Sequence, residues 1–241
     1  MSDILIANEL TKDFGRLRAV DQLSFEVREG EILGMMGPNG AGKTTVFNLL
    51  TGVYKPDRGT ITFNGRDITH ESPSRRCRLG IGRTYQIPRP FKKMTAYENM
   101  LVGSVHGGRL SEKEARKGVH EILEMVGLLP KKNHFAGSLS FLDRKRLELG
   151  RALATNPTLL LIDEVAAGLT EAEVEQVLKI VKRIQERGIT IVWIEHILMM
   201  MSEGVERLLM IAEGQQLLCG DPKEVMGSKE VLDVYLGVEE D

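Results

Sequence analysis

The stretch Gly37-Pro38-Asn39-Gly40-Ala41-Gly42-Lys43-Thr44-Thr45 constrains this chain more than any other. It fits the pattern G-x-x-x-x-G-K-[ST] without a gap. Gly37, Gly40 and Gly42 let the backbone bend tightly and approach an anion closely, because no Cβ stands in the way. Successive N–H groups can then point inward as a nest for phosphate oxygens. Lys43 can set its ammonium on the outer phosphates of a nucleotide, and the Thr44 hydroxyl can reach a Mg²⁺ ion. The context agrees. Glu31-Ile-Leu-Gly-Met-Met36 reads as a buried strand, and Thr45-Val-Phe-Asn-Leu-Leu-Thr51 as the helix that follows, stopped by Gly52. The positive end of that helix adds to the same anion site.

The 241 residues suit one large domain or a core with inserted subdomains, and 42% apolar residues are enough for a sizeable core. A net charge of −2 gives no bulk electrostatic case for nucleic acid or an anionic membrane. Cys77 and Cys219 lie far apart, so neither a disulfide framework nor a zinc site is expected, and a reducing interior is the default compartment. The first residues lack a basic segment followed by a long apolar run, so no signal peptide is expected. No stretch reaches the ~18 apolar residues of a membrane helix. The closest, residues 189–201, carries Glu195 and His196 in its middle. Any role at a membrane is therefore expected to run through a partner.

Residues 3–27 alternate loosely between apolar and polar, with a turn near Phe14-Gly15-Arg16, and predict antiparallel strands. Phe14 at a strand end can stack on a nucleotide base or join the core; both readings stand on position alone. Residues 60–68 read as a hairpin around Asn64-Gly65. Residues 73–79 form a short helix whose Arg75, Arg76 and Arg78 predict a solvated face. Residues 81–85 read as a strand ending at Gln86. Helical patterning fills residues 95–129, interrupted by Gly103, Gly107 and Gly108, with a capping box at Ser111-x-x-Glu114. A further helix spans 139–155. Residues 158–162 are a buried strand, 171–187 an amphipathic helix stopped at Gly188, and 189–194 a second buried strand. This alternation predicts a parallel sheet with helices on its faces. Asp221, Pro222 and Glu224 mark the start of one of two short helices at the end.

A second cluster of chemistry follows the buried strands. Asp163 and Glu164 stand at the carboxyl end of one. In a P-loop protein such an aspartate holds Mg²⁺, and the adjacent glutamate can take a proton from an attacking water or orient it. His196 follows the other strand, at the edge where parallel sheets place their ligands. A neutral imidazole there can contact the γ-phosphate or the water. Gln86, at a third strand end, can accept a metal contact or a water.

Together these residues resemble the ATP-binding subunit of ABC transporters, over nearly the whole chain. The resemblance implies a P-loop NTPase of the α/β class, with a RecA-like core, an antiparallel β subdomain and an inserted helical subdomain. Residues 1–241 would form a single ABC ATPase domain, with 1–90 and 155–241 as core and β subdomain and about 91–154 as helical subdomain. It implies ATP and Mg²⁺ as cofactors. Phe14 would stack adenine, and residues 37–45 would hold the phosphates. Gln86 matches the Q-loop glutamine, which senses Mg²⁺ and contacts the membrane subunit. Asp163 matches the second Walker aspartate, Glu164 the catalytic glutamate, His196 the switch histidine, and Ala166-Ala-Gly-Leu-Thr170 the dimer-contacting D-loop. The family's Leu-Ser-Gly-Gly-Gln signature is replaced by Leu139-Ser140-Phe141-Leu142-Asp143. There Ser140 would bind the γ-phosphate of ATP held by the other monomer. Ser140-x-x-Asp143 is also a capping box in its own right, and Asp143 repels phosphate unless it turns back to cap. The expectation is retained but altered hydrolysis.

Within the family, the stretches Phe47-Asn-Leu-Leu-Thr-Gly-Val-Tyr-Lys-Pro56, Arg83-Thr-Tyr-Gln86 with Arg89-Pro-Phe91, Ala166-Ala-Gly-Leu169 and Tyr235-Leu-Gly237 look most like the branched-chain amino acid importers. This implies a homodimer, or a heterodimer with a related ATPase, docked on permease subunits at the cytoplasmic face of the membrane and served indirectly by a solute-binding protein. No nucleic-acid partner is expected. A nucleotide-binding regulator with little turnover, a non-transport ABC ATPase and an exporter are the alternatives.

Overall fold

Alternation of apolar and polar residues carries the start of the chain into a long hairpin. The structure, a computed structural model, describes residues 2–108 and 110–236. β1 (Asp3–Phe14) pairs antiparallel with β2 (Leu17–Arg28). Leu5, Ala7 and Leu10 of β1 and Val20, Leu23, Phe25 and Val27 of β2 are buried, while Ile6, Asn8, Ser24 and Glu26 face out. β3 (Ile32–Met36) is buried at every position and leads through the glycine-rich loop into α1 (Lys43–Leu50). β4 (Arg58–Phe63) and β5 (Arg66–Asp67) form the expected hairpin. Asn64 and Gly65 both have positive φ, as a tight hairpin turn demands. The result is an antiparallel sheet in the order β2-β1-β4-β5.

The chain continues through α2 (Pro73–Leu79), β6 (Ile81–Arg83), α3 (Ala96–Val102) and a π-helical turn (Gly103–Gly107) into α4 (Glu112–Met125). α5 (Phe141–Leu153), β7 (Leu159–Asp163) and α6 (Glu171–Glu186) follow. Then come β8 (Thr190–Ile194), α7 (Leu198–Gly204), β9 (Arg207–Ala212), β10 (Gln215–Gly220), α8 (Pro222–Gly227) and α9 (Lys229–Leu236). The capping box at Ser111 and the Asp221 cap form as expected, and Gly188 closes α6 with φ 80°. Gly237 of the Tyr235-Leu236-Gly237 stretch lies outside the described residues.

Contacts divide the chain into two compact units, Met1–Pro73 with Thr190–Asp241, and Ser74–Ile189. In the first, β3 runs parallel to β8 on one side and β9 on the other, and β10 pairs antiparallel with β9. Trp193, Leu33, Met35 and Leu209 fill its core. In the second, β6 and β7 are parallel neighbours, and α3, α4 and α5 pack on one another. Leu123, Val126, Leu147 and Val181 are fully buried there, each contributing roughly 1.5–3 kcal/mol on removal from water. Among the described residues no helix is long and apolar enough to cross a membrane.

Three sequence expectations need correction. β6 ends at Arg83, not at Tyr85 as the sequence predicts. Thr84 still donates to Leu161 O, but Asp163 N then donates to the Thr84 hydroxyl (3.0 Å), so a side chain ends the backbone ladder. The arginines of α2 do not form one solvated face: Arg76 is 1% exposed, because a single helical turn points it inward while Arg78 faces out. The chain after His196 also holds a helix, α7, that its apolar run had hidden.

Candidate nucleotide site

The site residues expected from the sequence fall into two sets, one in each unit. In the first, β3 stops at Met36 and the phosphate-binding loop begins at the next residue. Gly37 and Gly42 are required by close approach. A Cβ on Gly37 would collide with the carbonyl oxygen of Ile211, and one on Gly42 with that of Ala19. Gly42 also has φ 98° and is the N-cap of α1, so no side chain closes the helix start against an anion. Lys43 is 6% exposed. Its ammonium donates to the carbonyls of Gly37 (2.7 Å) and Pro38 (2.9 Å), which anchors it across the loop. Asn39, Gly40 and Thr44 are exposed, Gly37 and Ala41 are buried, and Pro38, Gly42 and Thr45 lie between.

His196 belongs to the same edge. Met35 of β3 pairs with Ile194 of β8 in parallel register, so the loop and His196 both leave the sheet at its carboxyl end. Glu195 turns into the core at 1% exposure and His196 turns out. Phe14 resolves its two readings towards the surface. It is 41% exposed, with its ring edge-on to Tyr54 (centroids 5.2 Å) and the Lys12 ammonium 5.6 Å from its centroid.

The second unit gathers Gln86, Asp163 and Glu164. Gln86 Nε2 donates to Glu164 Oε2 at 2.5 Å. Asp163 accepts from Arg83 Nη2 at 2.9 Å, with both side chains almost buried. Burial pushes the Asp163 carboxyl above its ordinary value, and the hydrogen bond and charge of Arg83 pull it back part of the way. Glu164 has φ 44°, a left-handed conformation that costs a non-glycine residue on the order of 1 kcal/mol or more. Two residues that composition and spacing did not single out complete the cluster. Arg83 holds Asp163. Lys145, 2% exposed, donates to the carbonyls of Gln86 (2.7 Å) and Glu164 (3.1 Å). Nothing in the basic run Arg144-Lys145-Arg146 marks its middle member; only the buried face of α5 does.

Ser140 is the N-cap of α5. Its hydroxyl accepts from Asp143 N (3.2 Å) and donates to Asp143 Oδ2 (2.8 Å). The capping box is therefore half formed: Asp143 takes the serine hydroxyl, and not the backbone N–H, as its return partner. Asp143 is 3% exposed and paired with Lys131 (2.5 Å) and Arg146 (3.6 Å). Of the two alternatives for Asp143 the structure takes the turned-back one, with the carboxylate paired to Lys131 and Arg146. The Phe141 ring lies over Gly168, where a Cβ would come within 3.3 Å of it.

Asp143 gives a pH-dependent outcome. Burial pushes its carboxyl up, but hydrogen bonds from Lys131 and Ser140 and the charges of Lys131 and Arg146 outweigh this, and it titrates below its ordinary value of 3.8. Such a group binds fewer protons folded than unfolded. Its contribution is complete above the unfolded value and is lost as pH falls through the lower native one. Asp143→Asn is expected to lose roughly 1–2 kcal/mol at neutral pH, since Lys131 is half exposed and its pairing is screened. The difference from the parent should shrink in acid. Urea unfolding at a series of pH values measures both.

The ABC transporter family model matches residues 20–167. The chain is 37% identical to the high-affinity branched-chain amino acid transport ATP-binding protein LivG of Salmonella typhimurium, over 97% of this chain and 98% of that one. The chain belongs to the ABC transporter ATP-binding family. BraF of Pseudomonas aeruginosa, another high-affinity branched-chain amino acid transport ATP-binding protein, is 36% identical over the same shares. The ADP conformation of an ATP-binding cassette of an ABC transporter superposes with a TM-score of 0.91 at 33% identity, covering 98% of this chain and 100% of that one. The fold is thus the P-loop NTPase fold of ABC ATPases, with antiparallel and parallel sheets as expected. As an ABC transporter ATP-binding subunit, the protein binds and hydrolyses ATP to drive transport.

The donor atoms suit Mg²⁺, a hard cation that takes oxygen ligands and is commonly carried on nucleotide phosphates. The exposed Thr44 hydroxyl makes no hydrogen bond to another described residue. Asp163 spends Oδ2 on Arg83 and keeps its other oxygen.

Proposed function

We propose that this ABC ATPase energises import of branched-chain or other hydrophobic amino acids through membrane permease subunits. Support for the solute class comes from the likeness to LivG and BraF along almost the whole chain. The residue roles rest chiefly on one geometric observation, the Gln86–Glu164 hydrogen bond beside Asp163.

In this reading Phe14 stacks the adenine ring, and residues 37–45 with the start of α1 hold the phosphates. Lys43 neutralises phosphate charge. Thr44 and Asp163 would hold Mg²⁺, with Gln86 as a further oxygen ligand, and the ion would supply charge neutralisation on the phosphates. Glu164 orients the attacking water and takes its proton, and His196 steadies the γ-phosphate or that water. Ser140 serves the ATP of a second cassette, identical or related, so that two copies close on two nucleotides. The chain acts as a single ABC ATPase domain whose residues of about 91–154 form the helical subdomain. It works peripherally, at the cytoplasmic face of the membrane, and a solute-binding protein acts on it only through the permease.

The permease would dock on the apolar side chains around the Q-loop. Tyr85, Ile87, Phe91, Met94 and Phe135 are all exposed, an unusual density of large apolar groups for a free surface. The test is reconstitution of the chain with a permease pair and its binding protein in liposomes. ATPase activity should rise when the binding protein carries leucine, isoleucine or valine. Ile87→Glu should abolish that rise while leaving nucleotide binding unchanged. Stimulation by an unrelated solute alone would overturn the solute class.

A further inference from the structure

We propose that Lys145 is a positioning residue for ATP hydrolysis, holding the Q-loop and the Glu164 carboxylate in register from the helix that follows the signature segment. This rests on the reading of Glu164 as the water-handling carboxylate.

Two backbone carbonyls create the need for such a residue. β6 ends at Arg83 and β7 at Asp163, so by Gln86 and Glu164 the two chains have left the ladder. Each then presents a carbonyl that needs a donor. One ammonium satisfies both, at 2.7 and 3.1 Å. The side chains of the same two residues are joined directly, Gln86 Nε2 to Glu164 Oε2. Gln86 and Glu164 are therefore tied twice, once through their side chains and once through Lys145.

The tie has a specific task. Glu164 is held at φ 44°, a conformation that surrounding contacts must maintain. Its carbonyl is gripped by Lys145 immediately beside the backbone torsions that aim its carboxylate. Burying an ammonium at 2% exposure is costly, and the two carbonyl dipoles offset that cost. The Phe141 ring, with its centroid 5.5 Å from Lys145 Nζ, adds a cation–π contact. Phe141 occupies a glycine position of the family signature and is half exposed. Lys145 thus touches the signature segment, the Q-loop and the catalytic glutamate, all within one unit. A shift at either Phe141 or Gln86 reaches Glu164 through it.

The test uses the purified full chain with MgATP, with Glu164→Gln as the reference for lost chemistry. Lys145→Met keeps the volume and removes the donors. It should lower kcat at least about tenfold and leave the KM for ATP within about threefold, the pattern of a group that acts on the transition state. Lys145→Arg, which keeps charge and donors, should recover most of the loss. If Lys145→Met does not fold, Lys145→Leu, likewise without a donor, is measured against the same criterion. A kcat within about twofold of the parent, or equal loss in the Met and Arg variants, would overturn the proposal. If Glu164→Gln turns over at the parental rate, the reading of Glu164 fails and the inference with it. If Glu164→Gln is slow while Lys145→Met is unaffected, only the role of Lys145 fails.

Discussion

Replacing Glu164 by glutamine is expected to slow ATP turnover at least about a hundredfold while MgATP binding stays intact, since a positioned general base contributes roughly 10²–10⁴-fold. The substitution is nearly isosteric. The amide oxygen of the new side chain can still accept from Gln86, so the 2.5 Å contact need not be lost, and the backbone at φ 44° is no harder for glutamine than for glutamate. What disappears is the carboxylate that can take a proton from water. With binding preserved and opening after hydrolysis prevented, the variant should accumulate as an ATP-bound dimer. Single-turnover hydrolysis and size-exclusion chromatography with MgATP read the two effects separately. Rapid turnover by the variant would remove Glu164 from the mechanism, whatever its position.

The second large effect is expected at the phosphate-binding loop. Lys43→Met should weaken ATP binding by about ten- to a hundredfold, because a charge-assisted hydrogen bond is worth roughly 1.5–3 kcal/mol and each 1.4 kcal/mol is tenfold. Methionine keeps the volume of a side chain that is 6% exposed, so the loop should not collapse for want of packing. It cannot donate to Gly37 O and Pro38 O, so the loop also loses the cross-brace that holds its carbonyls. Titration calorimetry with ATP measures the first loss. Thermal unfolding without nucleotide isolates the second, a lost donor to the buried Gly37 carbonyl and the part-buried Pro38 carbonyl. Unchanged affinity would mean that backbone N–H groups and the helix start hold the phosphates without the lysine.

These two residues were legible in the sequence for a simple reason: their chemistry depends on local geometry. Lys43 is fixed by the glycines beside it and the helix it begins. Glu164 is fixed by the strand it ends. The two variants test the roles proposed for them. The capping residues Ser111 and Asp221 were legible on the same ground, since a cap is made within three residues. The strand–helix alternation also read correctly, because burial leaves a periodic trace along the chain. The alternatives at Phe14 could not be separated, since a strand end can face either way until its neighbours are known.

The sequence by itself determined a P-loop NTPase fold and the likeness to transporter ATPases, through short-range patterns that physics ties to one local conformation. Tertiary structure alone decided which charged groups are sunk and what they hold. Arg76 looked solvated and is buried. Asp143 could repel phosphate or turn back to cap, and it is folded back onto Ser140, Lys131 and Arg146. Lys145 sits in a basic run and reaches Gln86, 59 positions away, and Glu164, 19 positions away. Periodicity tells which face of a helix turns inward. It does not tell which carbonyls wait there, because those belong to strands whose ends meet only after the chain has folded.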